Sequence, residues 1–129
     1  MEENAIVGAN MEIKNSLIME NSTTHSGYIG DSIIGRNCKI AAGFYSANVR
    51  LDREFIKSLV KEENVDTGLK YFGAIFGEGT EIGIRASTMP GVIIGRNAVI
   101  GPSTVVMQNV PDHTKYYTKF KSVVSKNEK

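Results

Sequence analysis

Tryptophan is missing from this 129-residue chain, and aromatic residues make up only 8% of it. A compact interior usually leans on such rings, so this one must be filled in another way. There is one cysteine, Cys38. That excludes an internal disulfide framework and a zinc site built on cysteines. Neither sign of charge is in excess: 15 Lys and Arg against 14 Asp and Glu leave a net +1. Bulk electrostatic capture of nucleic acid or of an anionic membrane surface is therefore not expected. No apolar run approaches the length needed to cross a bilayer. The opening MEENAIVGAN is acidic and has no basic segment followed by an apolar core, so no secretory signal is visible. The expected location is the cytoplasm, and the length suits one domain.

What is present is glycine, at 13 positions, and a period. Stepping by six from Phe76 gives Ile82, Thr88, Ile94, Ile100 and Val106; the following residues are Gly77, Gly83, Met89, Gly95, Gly101 and Met107. The fourth residue after each apolar position is small or β-branched: Thr80, Ala86, Val92, Ala98, Thr104. The same phase appears in Ile34-Gly35 and Ile40-Ala41, and again from Val7-Gly8 through Ile13 to Met19. Six residues fit neither an amphipathic helix nor a long alternating strand. They fit an all-β fold, a parallel β-helix in which each hexapeptide is one short strand and a turn, and three hexapeptides make a triangular coil. The aliphatic residue points inward, the small residue fills the corner, and glycine is expected to ease the turn. A β-sandwich would place its turns every eight to twelve residues.

The period predicts a β-helix over 1–110 and a C-terminal cap and tail over 111–129. It slips between Ser22 and Tyr28 and vanishes over 49–71. That charged stretch reads as an excursion, a short hairpin or helix ending in the Asp66-Thr67-Gly68 turn. Long excursions from a rigid scaffold often carry function. Tyr116, Tyr117 and Phe120 are expected to pack back on the last coil. A short solenoid has open ends and flat faces, so association around an axis is expected, with a trimer suiting a triangular prism.

Few residues offer chemistry. His113 follows the last repeat and reads as a surface residue. His25 sits where the period slips, among polar neighbours; it is either an exposed turn residue or a general base suited to neutral pH. Two distant histidines and one cysteine do not make a zinc site, and no metal is expected. Cys38 falls on a small-residue position and reads as a buried structural thiol. No glycine segment leads into a helix pattern or a Lys-Ser/Thr pair, so no nucleotide phosphate loop is present.

Several segments resemble a known family: Glu12–Ser16, His25–Asn37 (HSGYIGDSIIGRN), Ala41–Asp52 (AAGFYSANVRLD) and Met89–Gly95 (MPGVIIG). They are similar to the left-handed β-helix acetyltransferase domain of the bifunctional glucosamine-1-phosphate acetyltransferase/N-acetylglucosamine-1-phosphate uridylyltransferases. The archaeal sugar-1-phosphate nucleotidylyltransferase branch is the nearest. The resemblance runs from about Val7 to Val110. The hexapeptide part is shared by many acyltransferases, whereas the His-x-x-Tyr-x-Gly-Asp run and the asparagine before the excursion are specific. Nothing in the chain resembles that family's nucleotidyltransferase domain.

The resemblance implies a left-handed β-helix and transfer of acetyl from acetyl-CoA to the amine of an amino-sugar 1-phosphate, glucosamine 1-phosphate first. It implies His25 as general base and Asn48 in the acetyl-transfer site. Tyr28, Lys14 and Lys57 would hold the sugar phosphate, and Ala42 would lie beside coenzyme A. The departures from the family pattern are Lys39 for an asparagine, Ser26 for an aliphatic residue, Glu54 or Arg53 where lysine is frequent, and a turn one residue short before His25. The alternative is a non-catalytic β-helix, a trimerising or regulatory subunit or a fragment of a sugar-1-phosphate nucleotidylyltransferase, partnered by a separate nucleotidyltransferase.

Overall fold

The computed structural model describes residues 1–128, and none of these is helical. The six-residue period becomes a left-handed parallel β-helix. Its first coil holds β1 (Ile6–Lys14) and β2 (Leu17–Ile18), its second β3 (Thr23–Gly30) and β4 (Ile33–Ile34). The third holds β5 (Lys39–Ile40) and β6 (Phe44–Ser46) and leaves the prism to form β7 (Lys57–Val60) and β8 (Glu63–Asp66). It then returns as β9 (Ala74–Phe76). β10 (Glu81–Ile82), β11 (Ser87–Thr88) and β12 (Val92–Ile94) make the fourth coil. β13 (Val99–Ile100) and β14 (Val105–Val106) continue into a fifth, which meets the fourth through a bridge between Val110 and Ile94. β15 (Lys115–Tyr116) pairs in parallel with β13 and extends the first face by one more rung.

Stacking puts equivalent hexapeptide positions over one another. In each two-residue strand the first residue faces out and the second faces in; in the three-residue strands β6, β9 and β12 the middle residue faces out and its neighbours face in, as strand alternation requires. On one face Ile40, Ile82, Ile100 and Tyr116 are in register; on the second, Ser46, Thr88 and Val106; on the third, Ile18, Ile34, Phe76 and Ile94. The corner residues Thr80, Ala86, Val92, Ala98 and Thr104 are all buried, and so is Cys38. Two rings fill the middle coils: Phe44 and Phe76 meet edge to face with centroids 5.5 Å apart.

The glycines that follow the inward aliphatic residues do another job than easing turns. Five left-handed corners are held by asparagine: Asn4, Asn15, Asn21, Asn37 and Asn97 have φ between 47° and 60°, a region that Asn and Asp tolerate better than other side chains. Others are held by Gly43, Gly79 and Gly91. The repeat glycines sit where one coil lies directly on the next. A Cβ on Gly77 would come within 2.7 Å of the Arg96 backbone nitrogen, and one on Gly83 within 2.7 Å of the Pro102 nitrogen. Glycine follows the inward aliphatic residue because the stacked backbone leaves no room for a side chain.

The slip near His25 has a cause as well. β1 and β3 are long because they run continuously around a corner: β3 pairs with β5 at Thr23 and with β6 at Gly27 and Tyr28. Opposite it, β1 carries one extra residue, since Val7 pairs with Thr24 and Asn10 with Ser26. Gly8 and Ala9 thus face the single residue His25, a β-bulge, and a Cβ on Gly8 would overlap the His25 carbonyl.

The excursion is an antiparallel hairpin. Lys61 and Glu62 both have positive φ, 47° and 66°, the requirement of a two-residue type I′ turn. It docks on the prism through buried Ile56, through the Ser58 hydroxyl donating to the Gly91 carbonyl at 2.9 Å, and through Asn109 Nδ2 donating to the Leu59 carbonyl at 2.7 Å. Of the three tail rings, only Tyr116 packs against the core; Tyr117 and Phe120 are exposed.

Candidate active site

Strand β3 carries the residues of interest on its outer side. Tyr28 stands between Glu12 of the first coil and Tyr45 of the third. Three residues later the chain turns at Asp31, whose φ of 49° is left-handed. The corner above it is Asn15, and β1 ends beside it at Lys14. From the third coil, Asn48 leaves β6 at the mouth of the excursion. Three of the sequence-predicted residues, Lys14, Tyr28 and Asn48, meet here.

Asp31 joins them. Its carboxylate accepts from Asn48 Nδ2 at 2.7 Å and from Lys14 Nζ at 3.3 Å on one oxygen, and from Asn15 Nδ2 at 2.9 Å on the other. Asn48 Nδ2 also donates to Tyr28 Oη at 3.1 Å. The Asp31 side chain is 7% exposed and Lys14 51%. Burial pushes the Asp31 carboxyl up, but the hydrogen bonds from Asn15, Asn48 and Lys14, with the lysine charge, outweigh it and hold the group below the usual carboxylate range. The Lys14 ammonium lies 4.5 Å from the centre of the Tyr71 ring, a cation–π contact from the returning end of the excursion. Asn15, Asp31 and Tyr71 of this cluster also line a recess of about 820 Å³ with Leu17, Ile33, Ile75, Leu69 and Phe72; Lys14, Tyr28 and Asn48 lie outside its lining.

Asp31, Asn15 and Tyr71 are the residues that sequence reasoning missed. Asp31 lay inside the His25–Asn37 segment without a role. One signal was available: it is an aspartate at a left-handed corner of a kind that asparagine fills at five other places.

The other predicted residues lie nearby but apart. His25 is exposed and lines a smaller recess of about 420 Å³ with Thr23, Lys39, Ala41 and Glu81. Ala42 borders a neighbouring groove of about 760 Å³, together with Ser26, Gly43, Tyr45 and Arg85. Adjacent residues of two coils, His25-Ser26 and Ala41-Ala42, therefore serve both recesses. Lys57 stands on β7 outside the polar cluster, in a shallow groove beside Asn64, Pro90 and Gly91. His113 occupies a left-handed corner of the last coil and is exposed. Cys38 is fully buried, its thiol raised by desolvation and donating to the Gly77 carbonyl at 3.2 Å. No helix among the described residues is long and apolar enough to cross a membrane.

Comparison with known proteins agrees with this architecture. Residues 73–108 match the family described as "Bacterial transferase hexapeptide (six repeats)". The chain is 40% identical over 128 residues to the bifunctional protein GlmU of Methanococcus aeolicus, an alignment covering 98% of this chain and 31% of that protein. It is also 40% identical over 111 residues to a bifunctional sugar-1-phosphate nucleotidylyltransferase/acetyltransferase of Sulfurisphaera tokodaii, covering 85% of this chain and 27% of the relative. Among solved structures, the acetyltransferase domain of PglB from Neisseria gonorrhoeae superposes with a TM-score of 0.69 at 15% identity, over 92% of this chain and 47% of that one. The chain thus spans about a third of the length of the curated relatives it matches. It is a hexapeptide-repeat left-handed β-helix, similar along nearly its whole length to part of the bifunctional GlmU and sugar-1-phosphate nucleotidylyltransferase/acetyltransferase proteins.

Proposed function

We propose that the chain is an acetyltransferase of the cytoplasm that moves the acetyl group of acetyl-CoA to the amine of an amino-sugar 1-phosphate, glucosamine 1-phosphate first. The observation that carries this reading is the juxtaposition of Lys14, Asp31 and Asn48, from three successive coils, around Tyr28 of the strand that presents His25, beside the groove at Ala42. The names of the matched relatives, an acetyltransferase acting in a sugar-1-phosphate protein among them, support it.

The chemistry asks for these residue types. The attacking nitrogen must shed a proton as it bonds to the thioester carbon, and the His25 imidazole takes that proton. The tetrahedral intermediate then collapses, the carbon–sulfur bond breaks, and coenzyme A leaves as the thiol with a proton returned to sulfur. General-base help of this kind is worth about 10²–10⁴-fold. Lys14 meets the phosphate as a point charge, and Tyr28 and Asn48 orient the sugar. Ala42 leaves the groove open for the pantetheine arm, because a longer side chain there would fill it. Lys57 contributes from the hairpin. We place the site in a homotrimer, whose packed prisms enclose the open recesses.

Release of free coenzyme A on mixing the protein with acetyl-CoA and glucosamine 1-phosphate, then galactosamine 1-phosphate, tests the reading. Release that depends on the acceptor and falls about 10²–10⁴-fold in His25→Ala is expected. Folded protein that releases nothing with either acceptor, or a His25→Ala variant as active as its parent, overturns it.

A further inference from the structure

Asparagine serves the left-handed corners of this prism at five positions, and Asp31 stands at an equivalent corner with the same backbone geometry. The turn itself therefore does not require a carboxylate. A buried carboxylate is also costly, and this one lies among residues assigned above to a phosphorylated sugar, where its negative charge opposes the ligand. Something offsets that cost.

The hydrogen bonds show what it is. An ionised carboxylate only accepts. The group that Asn48 turns toward Asp31 must then be its NH₂, because the amide oxygen there would set acceptor against acceptor. Both hydrogens of Asn48 Nδ2 are thereby committed, one to Asp31 and the other to Tyr28 Oη. Tyr28 Oη accepts a hydrogen bond from Asn48, so its own hydroxyl hydrogen points to another partner. Among the described residues no donor reaches Asn48 Oδ1 and no acceptor takes the Tyr28 hydroxyl hydrogen. Asn15 and Lys14 complete the set around the carboxylate.

We propose that Asp31 is a positioning residue that sets the hydrogen-bond polarity of the site, so that a ligand meets an acceptor at Asn48 Oδ1, a donor at Tyr28 Oη and an ammonium at Lys14. The substrate half of this rests on the function proposed above. An asparagine at 31 offers one acceptor oxygen and one donor nitrogen. It cannot hold Asn15 and Asn48 at once, so the new amide alternates between them and Asn48 is no longer held in one orientation.

The test is Asp31→Asn in the full chain, with side-chain amides followed by ¹H–¹⁵N NMR, assigned through Asn48→Ala and Asn15→Ala. In the parent, the Asn48 NH₂ is expected downfield and slow to exchange. In Asp31→Asn, still folded at the assay temperature, that signature disappears. KM for glucosamine 1-phosphate then rises at least about tenfold, the loss of a charge-assisted hydrogen bond, while KM for acetyl-CoA stays within about twofold. An Asn48 signal without the expected signature in the parent, or unmoved in Asp31→Asn, overturns the proposal. So does acceptor binding that is equal or tighter in the variant, which would mean that the carboxylate merely opposes the phosphate. If the parent acetylates neither acceptor but the Asn48 signature is present and lost in Asp31→Asn, the substrate reading fails and the role of Asp31 stands.

Discussion

At the scale of residues, Asp31 also governs how the fold responds to acid. Its folded-state pKa lies below the unfolded value of about 3.9. The stabilisation it supplies is therefore complete above that unfolded value and is lost as pH falls through the lowered folded value. Melting temperatures measured from pH 6 down to pH 2 are expected to fall more steeply for the parent than for Asp31→Asn; parallel curves would remove Asp31 from the account. Lys14, Tyr28 and Asn48 were legible in the sequence through the segments that carry the family resemblance. Asp31 was in view but silent, because its partners lie 16 or 17 residues away in each direction, at Asn15, Lys14 and Asn48. Such distances are one coil of the prism, and nothing local in the sequence marks a contact between neighbouring coils. The glycines were visible and their reason was not: a turn was the local explanation, and the approach of the next coil is a tertiary one. Gly77→Ala is accordingly expected to cost about 1–3 kcal/mol by overpacking, read as a lowered denaturant midpoint. A loss of a few tenths would mean that the coils can separate enough to admit a methyl.

Elements divide into those that the period dictates and those that it does not. The short strands follow from the alternation of one inward aliphatic and one corner residue per hexapeptide, and their register follows from stacking like on like. The hairpin β7–β8 has no such pattern. Its charged composition left hairpin and helix both open, and the turn that decides the matter, at Lys61-Glu62, contains none of the Gly or Asn that usually mark it. What holds the hairpin is side-chain to backbone bonding from the prism. Asn109 is pinned from both sides, accepting from the Ile93 N–H at 2.9 Å and donating to the Leu59 carbonyl at 2.7 Å. Asn109→Ala should speed hydrogen exchange of the hairpin amides while those of β10 to β13 keep their protection. Uniform loss of protection would make the hairpin part of the same cooperative unit as the coils.

For the whole molecule, the three faces of the prism differ in what they show to the outside. One presents Thr23, Lys39 and Glu81, another Tyr28, Tyr45 and Ser87; the third presents Leu17, Ile33, Ile75 and Ile93 in one register column. An all-apolar outer column is the face that copies of the chain would cover in the proposed trimer. Light scattering should give three times 14.1 kDa for the parent, and Ile33→Asp should give the single-chain mass. A parent that runs as one chain would refute the trimer. The overall architecture was the most legible level of all, since a period of six repeated through three blocks leaves few folds to choose from. The excursion leaves and re-enters the prism at almost the same point: the Phe72 N–H donates to the Asn48 carbonyl at 2.9 Å. The gap to be closed is therefore the same whatever hangs between its ends, and the penalty for a longer insert grows only logarithmically. The protein in effect has a seam. A single protease cut between Lys61 and Glu62 should leave two fragments that co-elute and melt together, and a foreign segment spliced in at that turn should leave the prism intact.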